Sequence, residues 1–251
     1  MMFSTCKKFI AAIGVGLFFG VPLSARPATS PEEEVPAEEV RVDSVIPGLT
    51  MPADSVAEDS VLTAADCFVS APMSVFPTID RMTRLDMIDY FNAGSDKASR
   101  NLVNGVCRVI EDSPDKIVVQ TSPASEYTLA LLPSSDSGTG TVIMLVTTLK
   151  TPAEDSSVKF YTTSWKEIPG LFRVPLLDDW MLPEARRNRK DVENAVPFVI
   201  AKLEYFPDQK RAVLTHDLPS FIAEEMLGVA TSSLKDRLTF RWNGKKLVME
   251  K

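Results

Sequence analysis

Apolar residues recur at helical spacing in the first ordered part of the chain and at alternate positions farther on. The helical spacing predicts a helix that begins at Thr83, with Asp86 at the capping-box position, and ends at Gly94. A second short helix is predicted over residues 71–79, and order is predicted to begin near Asp66. Alternation then predicts five short strands. They cover residues 106–110, 116–121, 126–132, 141–149 and 158–163.

The C-terminal third returns to regular patterns after an irregular stretch over residues 164–196. Two strands are predicted on either side of a turn at Pro207-Asp208. A hairpin is predicted at Asn243-Gly244, because Asn-Gly is the strongest short hairpin signal. Between them, a helix is predicted from Asp217 to a stop at Gly228. The apolar strand positions are Val199, Ala201, Leu203, Tyr205, Ala212, Leu214, Leu238, Phe240 and Trp242.

The links between the predicted strands are short, which favours antiparallel pairing because a parallel crossover needs a dozen or more residues. We therefore predict an α+β fold, with a largely antiparallel sheet and helices packed on one face. Residues 66–251 are expected to form a single domain of this class.

The first 25 residues are typical of a secretory signal peptide. Lys7 and Lys8 give the positive start, residues 9–21 form an apolar run of 13 residues, and Pro22 precedes a cleavage position after Ala25. The run is short for a membrane span, which needs about 20 residues, although an uncleaved anchor stays an alternative. We expect an exported protein that touches the membrane only through this segment, before cleavage.

Residues 26–65 are rich in proline and glutamate and poor in large apolar groups. Such a segment cannot offset its ordering entropy, so we predict a disordered acidic tether, with a partner-binding arm as the alternative. The chain of 251 residues carries 27 basic and 34 acidic side chains, a net charge of −7. An acidic chain repels phosphate backbones, which argues against binding to nucleic acid.

Candidate catalytic chemistry is sparse. His216 is the one histidine of the chain, and it stands on the apolar side of a predicted strand, which favours a structural role over that of a base. Neither a glycine-rich phosphate loop nor a Gly-x-Ser-x-Gly motif occurs, and one histidine with two distant cysteines does not make a zinc site. We predict no catalytic residue, no metal and no cofactor. Cys67 and Cys107 could form a disulfide in an oxidising compartment or stay reduced in the core.

The irregular stretch holds the candidate binding residues. Loops on a rigid scaffold commonly carry binding functions, and tryptophan anchors interfaces. Trp180 follows two acidic residues in a proline-bounded loop and precedes a basic run. Each group has a plainer alternative, in which Trp180 closes the edge of the core and the arginines are solvated. The candidates for ligand or partner binding are Trp165, Asp178, Asp179, Trp180, Arg186 and Arg187.

Several segments resemble a family. They are FPTIDRMTRLDMID from Phe76 to Asp89, Asn104-Gly105 before a strand, Leu131-Leu132-Pro133, and the run from Asp155 to Tyr161 that leads to Trp165. Together they resemble an exported Bacteroidales family of unknown function, over about residues 66–251. The resemblance implies a compact α+β domain exported to the periplasm or outer envelope of a Gram-negative bacterium, and it implies no reaction.

Three hypotheses follow. The leading one is a non-enzymatic binding module that holds an envelope protein or cell-surface component through residues 164–190 and an exposed sheet surface. The alternative is a carboxylate- or metal-dependent hydrolase acting on an envelope polymer. It requires convergence of carboxylates in one cleft, drawn from Asp86, Asp89, Asp155, Asp178 and Asp179. The third is a structural accessory protein whose ligand is another subunit.

Overall fold

The structure, a computed structural model, describes residues 61–135 and 140–250. The predicted signal peptide and nearly all of the predicted tether lie outside the described residues. The helices are α1 (Ala64–Ser70), α2 (Arg81–Asn92), α3 (Leu177–Trp180), α4 (Arg189–Ala195) and α5 (Glu224–Ser233). The strands are β1 (Ser99–Arg100), β2 (Val106–Ser113), β3 (Lys116–Ser122), β4 (Ser125–Pro133), β5 (Thr141–Leu149), β6 (Asp155–Thr162), β7 (Ala201–Phe206), β8 (Arg211–His216), β9 (Arg237–Trp242) and β10 (Leu247–Met249).

Side-chain caps fix the first two helices: α1 is a helix that was not predicted, although order was expected near Asp66, and α2 begins earlier than predicted. Thr63 accepts a hydrogen bond from the Asp66 backbone N–H, and Asp66 accepts one from the Thr63 N–H, which completes a capping box and starts α1 at Ala64. Asp80 accepts from the Thr83 backbone N–H at 2.8 Å, so α2 starts at Arg81 and not at Thr83. The predicted helix over residues 71–79 is wrong, because that segment consists of turns.

The strands divide between two antiparallel sheets. Strands β1 to β6 form one sheet in chain order, and the order of the second is β10-β9-β8-β7. The α+β class is confirmed, but the prediction of one sheet missed the second. The reason lies in β5, which buries side chains on both faces: Ile143 packs towards α1 and α2, whereas Met144 packs towards the second sheet.

The two sheets are tied together at two points. Ser156 Oγ on β6 accepts a hydrogen bond from the Leu203 backbone N–H on the edge strand β7, at 2.9 Å. Trp242 Nε1 on β9 donates to the Pro133 carbonyl oxygen at the end of β4, at 2.7 Å. The hairpin at Asn243-Gly244 is confirmed, and Gly244 takes a positive φ of 90°, which glycine adopts at little cost.

The predicted helix from Asp217 to Gly228 is wrong in its bounds. Leu218–Ser220 form a single 3-10 turn, Ala223 is extended, and α5 then runs from Glu224 through Gly228 to Ser233. The stretch over residues 164–196 is also more regular than predicted, since α3, a 3-10 turn (Glu184–Asn188) and α4 lie in it. Among the described residues, no helix is long and apolar enough to cross a membrane.

Candidate functional site

Trp180 lies inside the core that joins the two sheets. Its side chain is 2% exposed, and its ring stands 5.1 Å from the His216 ring, centroid to centroid. The Lys235 backbone N–H donates to the Trp180 carbonyl oxygen, and Lys235 Nζ donates to the Asp179 carbonyl oxygen. The segment around α3 is therefore fastened to the end of α5. The plainer sequence alternative, an indole that closes the core, matches this placement.

The acidic residues beside Trp180 line a surface pocket of about 300 Å³, which we call the α3 pocket. Its lining consists of Asp178, Asp179, Met181, Arg186 and Arg189. Three of the six candidates, Asp178, Asp179 and Arg186, thus meet in one place. Their convergence depends on the short α3 and on the 3-10 turn that carries Arg186.

Ion pairs connect most of the charges of the α3 pocket. Arg189 Nη1 lies 2.7 Å from Asp178 Oδ2, and Arg189 Nε lies 2.6 Å from Glu193 Oε1 on the next turn of α4. Arg173 Nη2 donates to Asp179 Oδ1 at 2.8 Å, and the Leu176 backbone N–H donates to Asp179 Oδ2. The Arg173 hydrogen bond, opposed in part by burial, lowers the pKa of Asp179 below its ordinary value.

Arg186 and Arg187 are exposed on the 3-10 turn next to α4. Neither side chain has an ion pair within 4 Å in the described part of the chain. Arg186 lines the α3 pocket, whereas Arg187 does not. The pocket therefore contains carboxylates that are already paired with arginines, together with Arg186, an exposed cation without an ion pair among the described residues.

Trp165 lies in a different region, near the core beneath α1 and α2. Its ring stands 5.4 Å from the Tyr161 ring and 6.3 Å from the Phe76 ring. The backbone at Trp165 has a φ of 62°, and the indole Nε1 is buried without a hydrogen-bond partner among the described residues. Trp165 does not line the α3 pocket.

The groups that the hydrolase hypothesis needs are spread over the fold. Asp86 and Asp89 are exposed on α2, and Asp155 is exposed at the start of β6, while Asp178 and Asp179 share the α3 pocket. His216 Nε2 is 2.9 Å from the Lys235 carbonyl oxygen, so this ring nitrogen is engaged in a hydrogen bond with the backbone. Within residues 61–135 and 140–250, no three His, Cys, Asp or Glu side chains are grouped to hold a metal ion.

Sequence reasoning missed Arg173, and it placed Arg189 only in the basic run that follows Trp180, without its acidic partners. Arg189 stands four residues before Glu193, a spacing that favours a helical ion pair and could have been noticed in the sequence. Arg173 precedes Asp179 by six residues in a segment without periodicity. No local sequence pattern predicts the pairing of Arg173 with Asp179.

Comparison with known proteins gives a fold and a family. A solved structure described as a domain of an uncharacterized protein from Porphyromonas gingivalis W83 is similar, with a TM-score of 0.60 and 24% identity. The similarity covers 74% of this chain and 96% of that one, and it shows a shared fold. No curated protein matches. The family model described as "Protein of unknown function (DUF3256)" matches residues 58–247, and the chain therefore belongs to that family.

Proposed function

We propose that the chain is a non-enzymatic binding module, exported to the periplasm or outer envelope of a Gram-negative bacterium. Export is supported by Lys7, Lys8 and the apolar run that follows them. The organism of the similar solved structure, a Porphyromonas, is consistent with a Bacteroidales family. The partner we propose is an envelope protein or a cell-surface component with an anionic group.

The observation that carries the proposal is the position of Arg186 beside the ion-paired α3 pocket. Asp178, Arg189 and Glu193 hold one another, so the wall of the pocket is arranged before a ligand arrives. A surface arranged in advance loses less conformational entropy on binding. Arg186 supplies a guanidinium that can donate two parallel hydrogen bonds to a carboxylate or phosphate group. Arg187 adds a second positive charge next to it.

The chemistry of the same pocket supports binding over hydrolysis. A general acid needs a pKa near the working pH, which carboxylates reach by burial or by a neighbouring negative charge. The Arg173 hydrogen bond instead lowers the pKa of Asp179 and keeps that group ionised. Asp178 is half exposed and paired with Arg189. These two carboxylates thus serve to position arginines.

A test of the binding site uses the full gene, with a C-terminal tag, expressed in a Bacteroidales cell. Envelope partners are cross-linked, captured and quantified for the natural chain and for the double variant Arg186→Ala/Arg187→Ala. We expect capture of the specific partner to fall about tenfold, in line with loss of a charged contact. Arg81→Ala/Arg100→Ala removes the same charge from exposed positions elsewhere and should leave capture unchanged.

Two results would contradict the proposal. If every captured partner survives the Arg186→Ala/Arg187→Ala change, the α3 pocket is not the binding site. If cell fractionation finds the chain in the cytosol with residues 1–25 retained in its intact mass, the exported location is wrong. Thermal unfolding of each purified variant verifies that capture is compared between folded proteins.

A further inference from the structure

The outer face of the second sheet carries a second arrangement of arginines. Along β9, Leu238, Phe240 and Trp242 are buried, so the alternate residues Arg237 and Arg241 face away from the core. Register places Arg211 of β8 directly opposite Arg241, and Thr215 of β8 directly opposite Arg237. This face is separate from the α3 pocket, with which it shares no lining residue.

The arginines of the outer face are only partly neutralised. Like charges directly opposite each other on a sheet are destabilising, and Arg211 and Arg241 face each other with one shared acid. Glu250 Oε1 lies 2.7 Å from Arg241 Nε, while Glu250 Oε2 lies 3.4 Å from Arg211 Nε, which has no hydrogen bond among the described residues. Arg237 has no ion pair within 4 Å in the same part of the chain. A chain of net charge −7 thus presents a locally cationic surface.

The spacing of these charges suits an extended ligand. Arg211 and Arg237 are separated by four residues along the paired strands, which is about 14 Å at 3.4 Å per residue. A depression of about 310 Å³ lies between them, with Thr239 and Glu204 in its lining. The Glu204 carboxylate is paired with Lys202 Nζ at 3.5 Å. Phe206 of β7 is in register with Arg211, and its side chain is 41% exposed. An aromatic ring, hydroxyl groups and two cationic positions therefore lie along one face.

We propose that this face binds an acidic polysaccharide, a carbohydrate chain that carries carboxylate groups. The planar guanidinium of Arg237 and that of Arg211 or Arg241 would each hold one carboxylate through paired N–H donors. The exposed Phe206 ring offers an apolar surface to the C–H face of a sugar ring. Thr215 and Thr239 offer hydroxyls that donate to and accept from sugar hydroxyls. The site does not depend on the α3 pocket or on export.

The experiment titrates the purified chain with a six-unit oligogalacturonate, followed by calorimetry and by backbone amide NMR shifts. Maltohexaose serves as the neutral carbohydrate, and a single-stranded DNA oligonucleotide serves as a polyanion without carboxylates. We expect binding of oligogalacturonate that weakens as salt is raised, with shifts confined to β7, β8 and β9. Arg237→Ala/Arg241→Ala should weaken it at least tenfold, and Phe206→Ala about fivefold. Arg81→Ala/Arg100→Ala removes an equal charge from exposed positions elsewhere and should leave oligogalacturonate binding unchanged.

Several outcomes would overturn the inference. They are absence of oligogalacturonate binding, equal binding of maltohexaose or of the DNA, and shifts in the natural chain that map away from β7, β8 and β9. Full retention of binding in Arg237→Ala/Arg241→Ala would do the same. The shift map uses the natural chain, so the test does not depend on the folding of any variant. Failure here leaves capture through Arg186 untouched, because that proposal is measured on other residues.

Discussion

Arg84 on α2 is a buried cation that holds the end of α1, and its replacement is the sharpest test of the packing. The side chain is 1% exposed. Its Nη1 donates to the Phe68 carbonyl oxygen at 2.8 Å and to the Ala71 carbonyl oxygen at 2.6 Å. The last carbonyls of a helix have no partner within the helix, so Arg84 supplies donors that α1 lacks. Burial lowers the pKa of Arg84, and the nearby Asp80 carboxylate opposes that shift.

The expected change in the free energy of unfolding follows from the hydrogen bonds that Arg84→Met would remove and from the desolvation cost that it would no longer carry. Two hydrogen bonds from a charged donor contribute about 1.5–3 kcal/mol each, and the two carbonyl oxygens would be left buried and unpaired. Against this, removing the buried charge recovers a desolvation cost of several kcal/mol. Methionine keeps the apolar contact with Phe68 and Phe76, whose rings lie under the guanidinium. We expect the free energy of unfolding to fall by about 2–4 kcal/mol.

Urea unfolding at pH 7, followed by circular dichroism and tryptophan fluorescence, measures the change for Arg84→Met. Arg81→Met on the same helix is the matched control, because Arg81 is exposed and should change stability by less than about 0.5 kcal/mol. A loss in Arg84→Met as small as in this control, or a gain, would refute the reasoning. It would mean that the recovered desolvation balances the two hydrogen bonds.

Three further predictions concern the thiols, an ion pair and the contact between sheets. Cys67 and Cys107 are free and buried, and burial raises the pKa of Cys67 to about 11. Both thiols should therefore resist alkylation at pH 8 until urea unfolds the chain. An intact mass of the non-reduced native protein that lacks two hydrogens would contradict this, because it would show a disulfide. The pKa of Asp179 is lowered in the folded chain, so its contribution to stability is present above about pH 4 and is lost as the pH falls. The difference in the free energy of unfolding between the natural chain and Asp179→Asn should therefore decrease from pH 7 to pH 3. A difference that stays constant would exclude the ion pair as its cause. Ser156→Ala leaves the Leu203 N–H unpaired and should cost about 1–2 kcal/mol in urea unfolding, whereas an unchanged midpoint would show that water replaces the hydroxyl.

Local sequence determined the strands that carry strong patterns. The strands Thr141–Leu149 and Arg237–Trp242 and the Asn243-Gly244 hairpin follow from runs of apolar residues, strict alternation and turn chemistry. Helix starts were less predictable, because Asp80 and Thr83 are both good caps and only packing selects between them. The candidate site was half predictable, since Asp178, Asp179 and Arg186 lie in the α3 pocket while Trp165 and Trp180 pack elsewhere.

Local sequence patterns alone determined which residues avoid water, but tertiary structure decided which elements cover them. Apolar residues occupy both faces of β5 and both faces are buried, yet no local pattern indicated that a second sheet would cover one of them. Trp180 also shows this limit, because the sequence alone does not say whether an indole in a loop binds a ligand or packs in the core. Pairs such as Arg173 with Asp179 depend on where the backbone turns between them. Local patterns record the polarity of each residue's surroundings, whereas the identity of its neighbours depends on chain packing over long separations.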